Sequence, residues 1–160
     1  MRATRFNHVS VQALDLEASL RFYMDVFGME RLPSPNFSGQ VEWLRVGEQQ
    51  LHLFKSEGTA PRSHHFALDV DDFEAAYRKA KELDLLDGET FGAAVRELPD
   101  GAVQMYIRDP AGNLVELNWP DVSTLDRSVI TDISRVADER PQTGEAASAT
   151  LYHAAGTALR

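Results

Sequence analysis

Three of the five histidines and one glutamate stand where they can do chemistry together: His8, His52, His65 and Glu116. Neutral imidazole and carboxylate are the donors that hold Zn(II), Ni(II), Co(II), Mn(II) or Fe(II), so one divalent ion is the expected cofactor. Their spacing carries the argument. The stretch 8–18 aligns with 65–75 at a constant offset of 57 residues, with His8 on His65, Asp15 on Asp72, Glu17 on Glu74 and Ala18 on Ala75. Further along, setting Arg45 on Arg108 puts Trp43 on Tyr106 and brings His52 close to Glu116. A pseudo-two-fold relation between the copies directs all four groups to one point. His8, His65 and Glu116 form the core ligand set, with His52 as fourth ligand or acid–base group. His64 faces away from His65 and is expected to be structural; His153 receives no role.

The elements that must position these groups follow from periodicity. Each copy opens with apolar alternation, which predicts a strand with Val9 and Val11 on one face and His8 and Ser10 on the other. Asp15 and Asp72 are candidate helix N-caps. Leu16, Leu20 and Tyr23 share one face of the first helix, and Phe73, Tyr77 and Ala80 share one face of the second. Gly28 and Gly88 are expected to end these segments. Strands follow over 41–45 and 50–54 around a turn at Gly47 and Glu48, then over 103–108 and 114–118 around the turn Asp109-Pro110-Ala111-Gly112. Each half therefore reads β-α-β-β-β. The expected fold is α+β: two βαβββ modules, about 5–56 and 63–120, in one domain over residues 1–120. They are expected to build one curved, mixed, mostly antiparallel sheet around the metal cavity, with helices outside. Alternation also puts Trp43, Arg45, Tyr106 and Arg108 on the cavity face. Trp43, Arg45 and Arg108 are candidate substrate contacts; His52 and Tyr106 are candidate catalytic groups.

Beyond Pro120 the pattern changes. Residues 123–136 predict a helix with Leu125, Val129, Ile130 and Ile133 on one face, an apolar surface suited to a second copy in a homodimer. Residues 137–160 read as a mobile arm.

Composition narrows the function. The 160 residues carry a net charge of −9, which repels phosphate backbones and argues against nucleic acid as a partner. Hydrophobic residues make up 43% of the chain, enough for a core. No apolar run approaches the length needed to span a bilayer, and no apolar leader precedes the first strand. A soluble cytoplasmic protein acting on a small molecule is expected. With no cysteine, thiolate ligation and cysteine nucleophiles are excluded.

The segments NHVSVQALDLEASLRFYMDVFGM, HHFALDVDDFEAAYRKAKE and MYIRDPAGNLVELNW, with the strand around LHLF, resemble the vicinal-oxygen-chelate superfamily. That group includes glyoxalase I, fosfomycin-resistance thiol transferases, methylmalonyl-CoA epimerases and extradiol dioxygenases. The resemblance covers most of residues 5–120 and leaves the tail outside. It implies the paired βαβββ fold and a divalent metal that chelates vicinal oxygens of a substrate. It also implies that His8, His65 and Glu116 are ligands. His52 matches a glutamate ligand of glyoxalase I and an acid–base histidine of the dioxygenases. Tyr106 matches a tyrosine found near the metal in dioxygenases and thiol transferases. A glyoxalase I-like lyase or isomerase is the expected activity. The alternatives are an extradiol-type dioxygenase, a thiol transferase and an antibiotic-binding resistance protein. The dioxygenase alternative lacks a histidine expected near 96–101.

Overall fold

The repeated strand–helix–strand pattern forms as expected in a computed structural model that describes residues 2–152. In the first copy β1 (His8–Ala13) leads into α1 (Leu16–Phe27), then β2 (Glu30–Leu32), β3 (Val41–Val46) and β4 (Gln49–Lys55). The second copy runs β5 (His65–Asp69), α2 (Phe73–Glu82), β6 (Val95–Glu97), β7 (Val103–Arg108) and β8 (Leu114–Trp119). A ninth strand, β9 (Ile133–Arg135), precedes the short helix α3 (Val136–Glu139). The strands fall into two hydrogen-bonded sheets rather than one, with orders β1-β4-β3-β2 and β5-β8-β7-β6-β9. By its internal packing the chain divides into two units. One comprises Met1–Phe66 and Arg108–Leu114, the other Ala67–Ile107 and Val115–Arg160. The β7–β8 turn thus belongs with the first unit, a boundary that the sequence repeat does not mark.

Both helix starts are set by the equivalent aspartates. Asp15 Oδ1 accepts from the Ala18 amide at 3.0 Å and Asp72 Oδ1 from the Ala75 amide at 2.8 Å, each satisfying an amide that has no partner inside the helix. Helix α1 ends at Gly28, whose φ of 63° is the left-handed conformation that a Cβ disfavours. The second helix stops earlier than expected. Its C-cap is Leu83, and Asp84 rather than Gly88 takes the positive φ, at 54°. Aspartate tolerates that region because its short polar side chain bonds locally.

In the first unit β1 runs parallel to β4, which is antiparallel to β3, and β3 to β2. Period-two alternation gives this sheet two unlike faces. Leu44, Leu51 and Leu53 are buried on one face, as are Leu20 and Tyr23 of α1. The other face carries His8, Ser10, Trp43, Arg45, Gln50 and His52.

A buried carboxylate organises the β7–β8 turn. Asp109 Oδ1 accepts from the amides of Ala111 and Asn113 at 2.9 and 2.8 Å. Its Oδ2 accepts from the Tyr23 hydroxyl at 2.8 Å and from Asn113 Nδ2 at 2.7 Å. Asn113 Nδ2 also donates to the carbonyl of Gln12 at 2.8 Å, tying the turn to β1. Burial first, and then Asp109, pushes the Tyr23 phenol well above its ordinary range, so it stays a neutral donor.

In the second unit Phe73, Tyr77 and Ala80 of α2 are buried, as are Val103, Met105, Ile107, Val115 and Leu117 of the sheet. The helix expected over 123–136 does not form. A 3-10 turn over Val122–Thr124 is capped by Asp121, and Asp126 accepts from the Ser128 amide to begin a second turn. Ile133–Arg135 then pairs in parallel with β6. The open edge of a sheet offers unpaired backbone groups, and β-branched Val129, Ile130 and Ile133 favour extended structure over helix. The segment expected to be a mobile arm is tied down over its described part. Arg96 pairs with Glu139 at 2.6 Å, and Asp100 Oδ2 accepts from the Leu151 amide at 2.8 Å. His153 and the rest of 153–160 lie outside the described residues.

Candidate functional site

The open face of the first sheet brings three flat rings together. Trp43 on β3 pairs directly with His52 on β4, and His8 on β1 lies one pleat away, because Ser10 is the direct partner of His52. The indole stacks on the His52 ring with centroids 4.4 Å apart and planes 7° from parallel. His52 stacks in turn on His8 at 4.2 Å and 13°. His52 is only 7% exposed, whereas His8 is at the surface.

Hydrogen bonds assign the ring protons. An amide oxygen can only accept, so the His52 Nε2 within 2.8 Å of Gln50 Oε1 carries the hydrogen, and the lone pair of the neutral ring sits on Nδ1. His8 Nδ1 faces Asn7 Oδ1 at 2.9 Å, which leaves the lone pair on Nε2. His65 Nδ1 donates to the Ser63 carbonyl at 2.9 Å, with the same consequence. Fixing one ring nitrogen in this way orients a histidine for a metal or a proton at the other. Desolvation, and then electrostatic repulsion from His8 as that ring takes up a proton, lowers the His52 pKa below its ordinary 6.5, so His52 is neutral at pH 7.

On the second unit, Glu116 lies on β8 and is 3% exposed. Gln104 Nε2 donates to its Oε1 at 2.7 Å, and the Tyr106 hydroxyl donates to Gln104 Oε1 at 3.1 Å. Burial and then the Glu116 carboxylate hold the Tyr106 phenol far above its ordinary value, so it remains a donor. Gln104, Gln50 and Asn7 were not singled out from the sequence. Gln50 and Gln104 stand two residues before His52 and Tyr106, so strand alternation from those residues points to them.

The structure therefore joins His8, His52 and Trp43 in one cluster, and Glu116 and Tyr106 in another. Among the described residues no group of three or more His, Asp or Glu side chains is placed to hold a metal ion. The donor types nevertheless fit a divalent metal: the three imidazoles each keep one lone pair, and the carboxylate is buried and oriented. The stacked His8–His52 pair is not a ready chelate. Two cis ligands of one ion lie about 3 Å apart with lone pairs converging, whereas stacked rings hold theirs in parallel planes. A chelating arrangement requires the exposed His8 ring to turn out of the stack.

The two arginines are engaged otherwise. Arg45 pairs with its cross-strand neighbour Glu30 at the surface. Arg108 donates to the carbonyls of Gly112 at 3.0 Å and Arg62 at 2.7 Å, bracing the turn and the linker. Trp43 is different: its indole N–H is shielded and has no hydrogen-bond partner among the described residues.

Residues 5–117 match the family model of the glyoxalase/bleomycin resistance protein/dioxygenase superfamily. The chain belongs to this superfamily. It is 32% identical over 126 residues to the uncharacterized protein YwbC of Bacillus subtilis, a match covering 71% of this chain and 96% of that one. It is 30% identical to the mitochondrial methylmalonyl-CoA epimerase of Mus musculus, over 71% of each chain. Among solved structures it resembles the lactoylglutathione lyase of Agrobacterium tumefaciens, with a TM-score of 0.58 and 25% identity over 78% of this chain and all of that one.

Proposed function

We propose that the chain is a divalent-metal-dependent enzyme of glyoxalase type, a lyase or isomerase that moves a proton on a small substrate carrying vicinal oxygens. The observation that carries this reading is the His8–His52–Trp43 column on the helix-free face of its sheet, with a neutral, desolvated imidazole at its centre. His8, His52, His65 and Glu116 would hold the ion. When bound, it would polarise a substrate carbonyl and stabilise negative charge developing on its oxygen. Gln50 holds the His52 ring in one tautomer, and Gln104 orients the Glu116 carboxylate. Tyr106, kept protonated, can donate through Gln104 or toward a substrate oxygen. Trp43 supplies a flat apolar wall beside His52. Similarity to a methylmalonyl-CoA epimerase and a lactoylglutathione lyase supports proton transfer beside a carbonyl.

The stacking of His52 between Trp43 and His8, which keeps its lone pair from converging with that of His8, favours a second reading, in which His52 stands off the metal as an acid–base group, as in a ring-cleaving dioxygenase. One experiment separates these readings. Metal analysis of the purified chain is followed by a screen of hemithioacetals, 2-oxo acid thioesters and catechols in D₂O. About one divalent ion per chain with deuterium incorporation beside a carbonyl is expected. Oxygen consumption with a catechol selects the second reading, and a chain that takes up no divalent ion refutes both.

A further inference from the structure

The face of the second sheet that carries Glu116 also carries a row of polar groups running to the sheet edge. Ser134 on β9 is the direct partner of Arg96 on β6, and Arg96 is the direct partner of Gln104 on β7. Directly paired residues put their side chains on one face. The row ends at Glu116 on β8, whose Oε1 accepts from Gln104 Nε2 at 2.7 Å. Neighbouring strands lie about 4.8 Å apart, so Arg96 stands roughly 10 Å from Glu116 at the backbone, two strands away. Arg96 is a shielded cation, its side chain only 16% exposed. Nη1 donates to the Phe91 carbonyl at 2.8 Å and Nη2 to Glu139 Oε2 at 2.6 Å, while Nε is shielded with no hydrogen-bond partner among the described residues. The other oxygen of that carboxylate, Glu139 Oε1, accepts from the Ser134 hydroxyl at 2.9 Å. Two donors thus grip one carboxylate, one at each oxygen. The carboxylate comes from a side chain that is 46% exposed, on the four-residue helix α3, outside the superfamily match.

We propose that Arg96 and Ser134 form a carboxylate-binding cradle, which Glu139 fills in the resting chain and which a substrate carboxylate takes over by displacing it. This names the substrate class of the enzyme proposed above, a carboxylate-bearing anion, and rests on that reading only in placing the reaction on the Glu116 face. The unequal burial of the two partners carries it. Glu139 can swing into water and be solvated there. Arg96 cannot follow, and a shielded guanidinium without a counter-ion is strongly unfavourable. Arg96 therefore exchanges one carboxylate for another. The incoming group finds both donors in place, and also the unused Nε–H, which with Nη2 forms one edge of the guanidinium and completes a planar fork for a carboxylate. When Glu139 leaves, β9 keeps its pairing with β6 and the Arg135–Glu97 ion pair at 3.2 Å, so the latch opens while the strand stays.

The test uses the full-length, metal-free chain with propionate and its neutral analogue propionamide as probes. Affinities are read from the backbone amide resonances of 95–97 and 133–135. Glu139→Gln keeps the shape of the side chain and removes its charge, and so removes a tethered competitor. It is expected to tighten propionate by about tenfold or more while propionamide changes by less than about threefold. Adding Arg96→Gln to that variant should abolish the gain, and adding Ser134→Ala should weaken propionate by about threefold. In the wild type, saturating propionate should move the amides of 136–139 toward their Glu139→Gln positions as the latch opens. An ion pair that only fastens the segment gives no such movement. Equal gains for both probes, no gain in Glu139→Gln, a gain that survives Arg96→Gln, or wild-type 136–139 amides that stay in place would each overturn the inference. None of these readouts involves a metal ion, so their failure leaves the metal reading intact. A chain that binds propionate at Arg96 but takes up no divalent ion would keep the cradle and lose the metal reading.

Discussion

His52 sits between opposing electrostatic demands. The indole face of Trp43 favours a cation above it, whereas burial and His8 disfavour one, and the net result is a lowered pKa. The consequence for stability has a definite sign. In the unfolded chain His52 takes a proton near pH 6.5, while the folded ring resists it. The contribution is therefore full above that pH and is lost as pH falls from 6.5 toward the folded value. Urea midpoints of the metal-free protein should decline across that window, and the decline should shrink in His52→Gln. An unchanged pH slope in the variant would show that another group is responsible. The same substitution addresses ligation. If His52 binds the ion directly, His52→Gln should weaken metal affinity by about tenfold or more, because a neutral amide is a poorer donor than imidazole. Unaltered affinity with turnover reduced by about 10²–10⁴ would assign it the acid–base role instead.

At the scale of elements, the Tyr23–Asp109 hydrogen bond links α1 to the β7–β8 turn, with both partners buried. Tyr23→Phe leaves a buried carboxylate short of one donor. Equilibrium urea denaturation should show a loss of about 1.5–3 kcal/mol, the range for hydrogen bonds to charged groups. Gly28→Ala should cost about 1 kcal/mol in the same assay, through the left-handed φ alone, since no neighbouring atom lies within 4 Å of the added Cβ. A neutral result for Gly28→Ala would mean that the helix end relaxes to another cap. Most elements were legible because their signals are local. Asp15 and Asp72 cap helices through amides three residues ahead, and strand alternation needs only nearest neighbours. Residues 123–136 misled because Leu125, Val129, Ile130 and Ile133 also satisfy a helical period. The partner of Ile133–Arg135, the free edge of β6, is supplied by residues about forty positions earlier.

For the molecule as a whole, the apolar helix face expected to pack on a second copy is absent, so a dimer needs another basis. Ligation offers a test: the single-chain site proposed above needs no second copy, whereas ligands shared between copies would make metal uptake and dimerisation rise together. With shared ligands, light scattering at micromolar concentration should give a dimer in the presence of Zn(II), and His8→Ala should lower both the metal content and the dimer fraction. A metal-loaded monomer would assign the whole ligand set to a single chain. The chain should also show no affinity for DNA at physiological salt, as its net charge of −9 requires.

The sequence alone determined the double βαβββ pattern, the helix N-caps, the face that His8, His52 and Trp43 share, and the superfamily. All of these are written in short-range periodicity and in one internal repeat. Tertiary structure decided the rest, because the remaining partners lie far apart along the chain. Trp43, His52 and His8 stack only once three strands align in register. Asp109 becomes a buried hub only when Tyr23 arrives from a helix 86 residues earlier. A pattern of residue types can state which groups are able to meet, but the pairing of distant strands and edges decides which of them do.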